Sequence, residues 1–412
     1  MRRNRVLQVV ALALVATLGC GAYVGIPAMR AAAGYAAKIA CTAVYVANRD
    51  IADVQREDLA FLPMSSWIHL ELDRSESAVT ARLGPVSQRA ICRQELGSTL
   101  VLGPHASAIH GEPVLAFGHL MAPPPPPSIA ALGPVLDRAF AEPDPKHPRR
   151  TRAVVVVHHD QVVGQRYAPG FESSMPLLGW SMSKSVLSAL IGIRVRQGKL
   201  KISDPPGCPE WSAPGDPRAA ITIDHLLHMS SGLAWEERYA PGADPVNMLF
   251  LSPDNAAYAA AKPLAHPPGS FWQYSSGTSN ILARALRQTF GGDETAYRAF
   301  PRKELFSKLG FTGFMELDAS GTFVASSFTY MSARDWANFG LLYLHDGVAP
   351  DGTRILPEGW VAYTRTPAPA APKGRYGAQF WLNAGSPGHP EDRAMPRLPT
   401  DLFYCAGFQD QS

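Results

Sequence analysis

Ser181-Met182-Ser183-Lys184, preceded by Gly179-Trp180 and followed by Val186, Leu187, Ala189, Leu190 and Ile193, is the stretch on which the reading of this chain turns. The apolar spacing predicts an amphipathic helix that starts at the serine. Residues three apart share a helix face, so the Ser181 hydroxyl and the Lys184 amine can meet. A serine hydroxyl is a weak nucleophile until a neighbouring base accepts its proton, and a desolvated lysine can serve as that base. The start of the helix also offers free backbone N–H groups, the Ser181 N–H among them, for the charge that develops on a carbonyl oxygen under attack. Of the nine lysines in the chain, Lys184 alone has a serine three positions before it.

At 412 residues the chain has room for a catalytic domain of roughly 250 to 300 residues and an N-terminal extension. A net charge of +3 leaves no electrostatic footprint for nucleic acid. The 37 prolines point to many ordered loops instead of a helical bundle. Met1-Arg2-Arg3-Asn4-Arg5 is basic, and Val6 to Ile26 carries no charged side chain. That length exceeds the apolar core of a signal peptide, about 7 to 15 residues, and suits a membrane span of about 20. Residues 1–30 are therefore expected to be a signal anchor, with a cleaved signal peptide as the alternative. The arginines would stay in the cytoplasm and the catalytic part would face the periplasm or another extracytoplasmic space.

Five cysteines, none in a Cys-x-x-Cys pair, argue against a zinc site of that kind. In an exported chain Cys41 and Cys92 either join as a disulfide or remain buried thiols. Residues 31–122 form an extension without legible chemistry, with a short apolar alternation from Thr42 to Ala47. The five-proline run 123–127 is a stiff spacer, and residues 128–412 form the hydrolytic domain.

Within that domain Ile129, Leu132, Val135, Leu136, Ala139 and Phe140 recur at helical spacing, and Ala153–Val157 with Val162–Tyr167 reads as a hairpin around His158-His159-Asp160-Gln161. Ile221 to Leu233 reads as a capped helix closed by Gly232; its His225 and His228 share a face but have no third metal ligand in sequence. Strands fall at the two ends of the domain and helices between them, which predicts an α+β fold, an antiparallel sheet flanked by helices. No Gly-x-Ser-x-Gly elbow, phosphate-binding loop or His-Glu-x-x-His helix occurs.

Ser181-Met182-Ser183-Lys184, Ile221 to Leu233, Tyr274-Ser275-Ser276-Gly277 and Ser332 to Gly340, taken in order, resemble the signatures of the serine β-lactamase and penicillin-binding-protein superfamily. The resemblance is nearest to its class C-related branch, with esterases, D-amino-acid-releasing peptidases and 6-aminohexanoate-dimer hydrolases. It implies Ser181 as the acylated nucleophile, Lys184 as its base and Tyr274 as the phenol or phenolate that shuttles the proton to the leaving group, its pKa lowered by the lysine ammonium. Ser276 stands where the superfamily carries an asparagine, a substitution that argues against β-lactamase activity. The third motif, a basic residue followed by x-Gly, is expected on the strand that edges the site. It falls on Tyr404-Cys405-Ala406-Gly407-Phe408-Gln409, which lacks the basic residue. Ser276, Gly407 and Phe408 are thus expected at the substrate, and relatives continue beyond the position of Ser412 through further strand and a C-terminal helix. The resemblance implies a small-molecule or short peptide-like substrate and no cofactor or metal. Alternatives are D,D-peptidase or β-lactamase activity, and a non-catalytic sensor module on the same fold.

Overall fold

The computed structural model describes residues 25–93, 95–103 and 129–412. Most of the expected membrane segment and the five-proline run lie outside these residues. No helix among the described residues is long and apolar enough to cross a membrane.

Residues 25–45 form helix α1, and Asp50 caps α2 (Ile51–Glu57) by accepting from the Ala52 N–H. The apolar alternation at Thr42 to Ala47 thus belongs mainly to a helix, because α1 is buried on nearly every side and needs no polar stripe. A four-stranded antiparallel meander follows: β1 (His69–Asp73), β2 (Ala78–Leu83), β3 (Val86–Arg93) and β4 (Gly97–Leu100). Cys41 and Cys92 lie against each other here as free thiols, each sulfur facing a backbone carbonyl at 3.5 Å.

The remainder is α+β with every strand pair antiparallel. Helix α3 (Gly133–Phe140) precedes the hairpin β5 (Ala153–His158) and β6 (Gln161–Tyr167). His159 and Asp160 take positive φ at its tip, as a tight two-residue turn requires. Strand β7 (Leu177–Leu178) leads to α4 (Ser183–Arg196), then α5 (Ile223–Leu227), α6 (Asp244–Leu251), α7 (Asn255–Ala260), α8 (Ser276–Gln288) and α9 (Glu294–Pro301). Next come β8 (Phe314–Met315), β9 (Thr329–Met331), α10 (Ala333–Leu344), α11 (Trp360–Arg365), β10 (Trp381–Leu382) and β11 (Phe403–Tyr404). Strand β9 pairs with both β7 and β8, and β10 pairs with β11.

Helix α4 departs from the amphipathic expectation. Residues Ser183 through Arg194 are all buried, because α4 is a central helix with neighbours around it. Two of its serines meet backbone partners: Ser185 Oγ donates to the Gln379 carbonyl at 2.7 Å, and Ser183 Oγ accepts from the Thr329 N–H at 2.9 Å. Gly192 admits the Trp360 ring, which a Cβ would meet at 2.7 Å. Helix α5 is shorter than expected and ends at Leu227. The Thr222 side chain and the His225 ring cap its first turn reciprocally, and His228 lies 3.2 Å from the Asp224 carboxylate with its ring on Tyr363. Both histidines therefore have structural partners.

One apolar core runs through both parts of the chain, from Ala36 and Ile39 of α1 to Leu187 and Leu190 of α4. At its centre lies a buried ion pair between Lys38 of α1 and Glu316, which follows β8. Glu316 also accepts from the Thr42 hydroxyl and from the Ser98 N–H and hydroxyl at 2.9 and 3.0 Å. Such a pair holds its geometry because desolvation makes either charge costly alone.

Candidate active site

Ser181 sits on a tight turn, Trp180–Met182, between β7 and α4. That turn is fastened to β9, where the Gly179 N–H donates to the Thr329 carbonyl at 2.9 Å. Trp180 takes φ of +47°, a left-handed conformation that costs a bulky residue about 1–2 kcal/mol. The turn requires glycine before it: a Cβ on Gly179 would lie 2.2 Å from the Trp336 ring. Gly407 makes the corresponding approach from the other side, since its own Cβ would lie 2.4 Å from the Gly179 carbonyl oxygen.

Lys184, with 1% of its surface exposed, places its Nζ 3.0 Å from Ser181 Oγ, 3.1 Å from Ser276 Oγ and 2.9 Å from the Ser326 carbonyl oxygen. The hydrogens in this circuit can be assigned from its partners. Ser276 Oγ donates to Glu237 Oε1 at 2.6 Å, so its lone pair faces Lys184 and takes one amine hydrogen. The Ser326 carbonyl can only accept, and takes a second. In a neutral amine the remaining position is a lone pair, and it faces Ser181. Burial lowers the Lys184 pKa to about 8, against a smaller upward pull from Glu237. Desolvation thus favours the neutral amine over the ammonium.

Tyr274 immediately precedes α8, whose N-cap is Ser275. Its ring stacks on Trp381 with centroids 5.3 Å apart, and Lys184 Nζ lies 4.9 Å from its own centroid. Burial raises the Tyr274 pKa well above 10, with Tyr376 adding to the rise and a hydrogen bond from the Ser181 side opposing it. The sequence expectation of a lowered pKa is therefore reversed. Desolvation outweighs the nearby amine, which is itself held toward neutrality, and favours the phenol form of Tyr274.

Ser276 is fully buried, with its hydroxyl occupied by the Lys184 amine and Glu237, so it holds that amine and does not face the cleft. The Gly407 N–H donates to the Gln411 carbonyl at 2.7 Å, so Gly407 serves in close packing against the Ser181 turn. Phe408 lies at the site's edge, its ring 4.8 Å from Tyr239 and 5.6 Å from Trp180.

Sequence reasoning missed Glu237 and Tyr239, which lie in the irregular segment after α5. Glu237 collects the Ser276 N–H at 2.7 Å, the Trp235 indole N–H at 2.6 Å and the Tyr239 hydroxyl at 3.4 Å, besides the Ser276 hydroxyl. Tyr239 also reaches the hydroxyls of Ser181 and Ser276. No local spacing marks either residue, because only the fold of the segment brings them to the helix. Glu237→Gln puts an amide nitrogen where four donors converge, so at least one donor loses its acceptor, at a cost of about 1–3 kcal/mol. Removal of the negative charge also lowers the Lys184 pKa further. The lower edge of the rate–pH profile is thus expected to move to lower pH while the melting temperature falls, and an unmoved edge would exclude Glu237 from the circuit.

This geometry, a buried lysine between a serine on the turn before a helix and a second-motif hydroxyl with a tyrosine nearby, is an arrangement that serine acyl transfer can use. The chain belongs to the Beta-lactamase family, whose profile matches residues 136–391. It is 24% identical over 268 residues to the 6-aminohexanoate-dimer hydrolase of Paenarthrobacter ureafaciens, covering 58% of this chain and 66% of that protein, just under two thirds of its length. A Bacillus anthracis structure provisionally named as a 6-aminohexanoate-dimer hydrolase superposes with a TM-score of 0.50 at 20% identity, over 63% of this chain and 69% of the other. A penicillin-binding protein from Bacillus halodurans gives 0.45 at 16% identity, over 56% and 79%. The family match, which spans all four sequence motifs, bears out the resemblance they carry.

Proposed function

We propose that the chain is a serine hydrolase that cleaves an ester or amide bond through an acyl-enzyme on Ser181. The observation that carries this reading is the three-way seat of Lys184, which leaves the amine one free direction, toward Ser181 Oγ. The neutral Lys184 takes the hydroxyl proton as Ser181 Oγ attacks the substrate carbonyl. The Ser181 N–H faces the developing oxyanion. Tyr274, in its phenol form, gives its proton to the leaving alcohol or amine and regains one from Lys184, and water releases the acyl group by the reverse route. Tyr274, Trp381 and Tyr239 with Phe408 supply aromatic walls, which suit an apolar acyl or leaving group.

The name of the Paenarthrobacter relative supports amide hydrolysis of an aminohexanoate type, and short-chain esters are the competing substrates. Burial of Ser276 withholds from the cleft the polar contact that an asparagine would offer, which disfavours β-lactams. A membrane-anchored protein with an exported catalytic part remains the proposal for residues 1–30.

The test is a fluorophosphonate. A single adduct is expected, mapped by peptide mass to Ser181, together with a burst of p-nitrophenol from p-nitrophenyl butyrate. An unlabelled Ser181 in folded protein would sink the proposal and favour the sensor module.

A further inference from the structure

We propose that helix α1 of the N-terminal extension is a working part of the catalytic site, with Tyr35 and Lys38 as positioning residues that set the distance between Ser181 and Lys184. The proposal rests on the serine-hydrolase reading above. Tyr35 and Lys38 stand three apart and so share a face of α1. Each braces one side of the nucleophile–base pair.

On the nucleophile side, the Tyr35 ring lies parallel to the Trp180 indole, with centroids 6.1 Å apart and planes 6° from each other. Trp180 is the residue held in the left-handed conformation immediately before Ser181. Phe328 and Phe408 pack against the same indole at 5.6 Å. The strained backbone that aims Ser181 is therefore confined by rings from three separate parts of the chain, one of them in the extension. Tyr35 is itself held by Phe250 at 5.6 Å and Phe61 at 5.2 Å, and its hydroxyl donates to the Asp58 carbonyl at 3.3 Å.

On the base side, Lys38 pairs with Glu316 and its Nζ stands 4.4 Å above the Phe328 ring. The backbone of Glu316 bonds in both directions to the 324–328 turn: its N–H donates to the Phe328 carbonyl at 2.9 Å, and its carbonyl accepts from the Val324 N–H at 2.8 Å. Ser326, within that turn, presents the carbonyl that holds Lys184. Displacement of Lys38 is thus transmitted through one turn to the base.

In the full chain, Tyr35→Leu is expected to slow fluorophosphonate labelling of Ser181 and lower kcat for p-nitrophenyl butyrate, both by about 10- to 100-fold, with KM little changed, because a small misplacement of reacting groups acts on the chemical step. Tyr35→Phe keeps the stacked ring and is expected to restore the wild-type rate. Lys38→Met combined with Glu316→Gln removes both buried charges together and is expected to slow labelling as well. Leu136→Ala, a core truncation in α3, controls for lost stability: its melting temperature falls while its labelling rate holds. Should Tyr35→Leu fail to fold, Tyr35→Met, which keeps volume without a ring face, takes its place under the same criterion. A folded variant lacking the Tyr35 ring that labels at the wild-type rate overturns the brace. A wild type that is not labelled at all overturns the hydrolase reading instead.

Discussion

Ser181→Ala is expected to abolish covalent labelling and to lower ester turnover by about 10⁴- to 10⁶-fold, the range for loss of a nucleophile from a cooperating set. The side chain lost is small and only partly buried, so the fold is expected to survive with an unchanged melting temperature. Lys184 would keep its bonds to Ser276 and Ser326. The measurement is the p-nitrophenol burst with p-nitrophenyl butyrate, which counts acylated sites directly. A burst that persists in Ser181→Ala would move the nucleophile elsewhere, and Ser183, two residues further on at the buried start of α4, is already occupied by the Thr329 N–H.

Lys184→Met is expected to cost about 10³- to 10⁴-fold in acylation rate, at the upper end for general-base catalysis. Methionine matches the lysine stem in length and lacks the amine, so the cavity stays filled. The Ser276 hydroxyl and the Ser326 carbonyl each lose a donor. The change also removes a pH dependence whose sign follows from burial. With a folded-state pKa of about 8, Lys184 is protonated and inactive as a base below that value, and the wild-type acylation rate is expected to fall about tenfold per pH unit on that side. In the unfolded chain the amine returns to about 10.5. Between the two values the unfolded state holds the extra proton, so wild-type stability rises with pH through this window. Lys184→Met is expected to flatten both the rate edge below pH 8 and the stability slope above it. Stopped-flow acylation and thermal melts across pH 6 to 11 read the two effects separately. A rate edge that survives the substitution would assign it to another group.

Much of the site was readable because its first elements are local. Ser181 and Lys184 lie three residues apart, across a tight turn and the first turn of α4, so a short local path joins them. The capping at Thr222 and Ser332, the hairpin around His159-Asp160, and the serine cap after Tyr274 are likewise set within a few residues. The pattern failed where a helix is enclosed. The apolar spacing of helix α4 reads as amphipathic, yet the tertiary structure buries every residue from Ser183 to Arg194 and gives Ser183 and Ser185 backbone partners. Tyr274 failed for a related reason, because burial decides its proton affinity and burial is not a property of neighbouring residues in sequence.

The sequence by itself determined the family resemblance and singled out Ser181, Lys184 and Tyr274 as candidates, since each rests on short-range spacing or on ordered motifs. Only the tertiary structure decided what surrounds them: Glu237 behind Ser276, the Ser326 carbonyl on the lysine, and α1 against the Trp180 turn. Those contacts join residues from 39 to 145 positions apart, through hydrogen bonds and ring packing that leave no periodic trace in the chain. They set the protonation and aim of Ser181 and Lys184, because desolvation and confinement arise only when distant segments close around the pair.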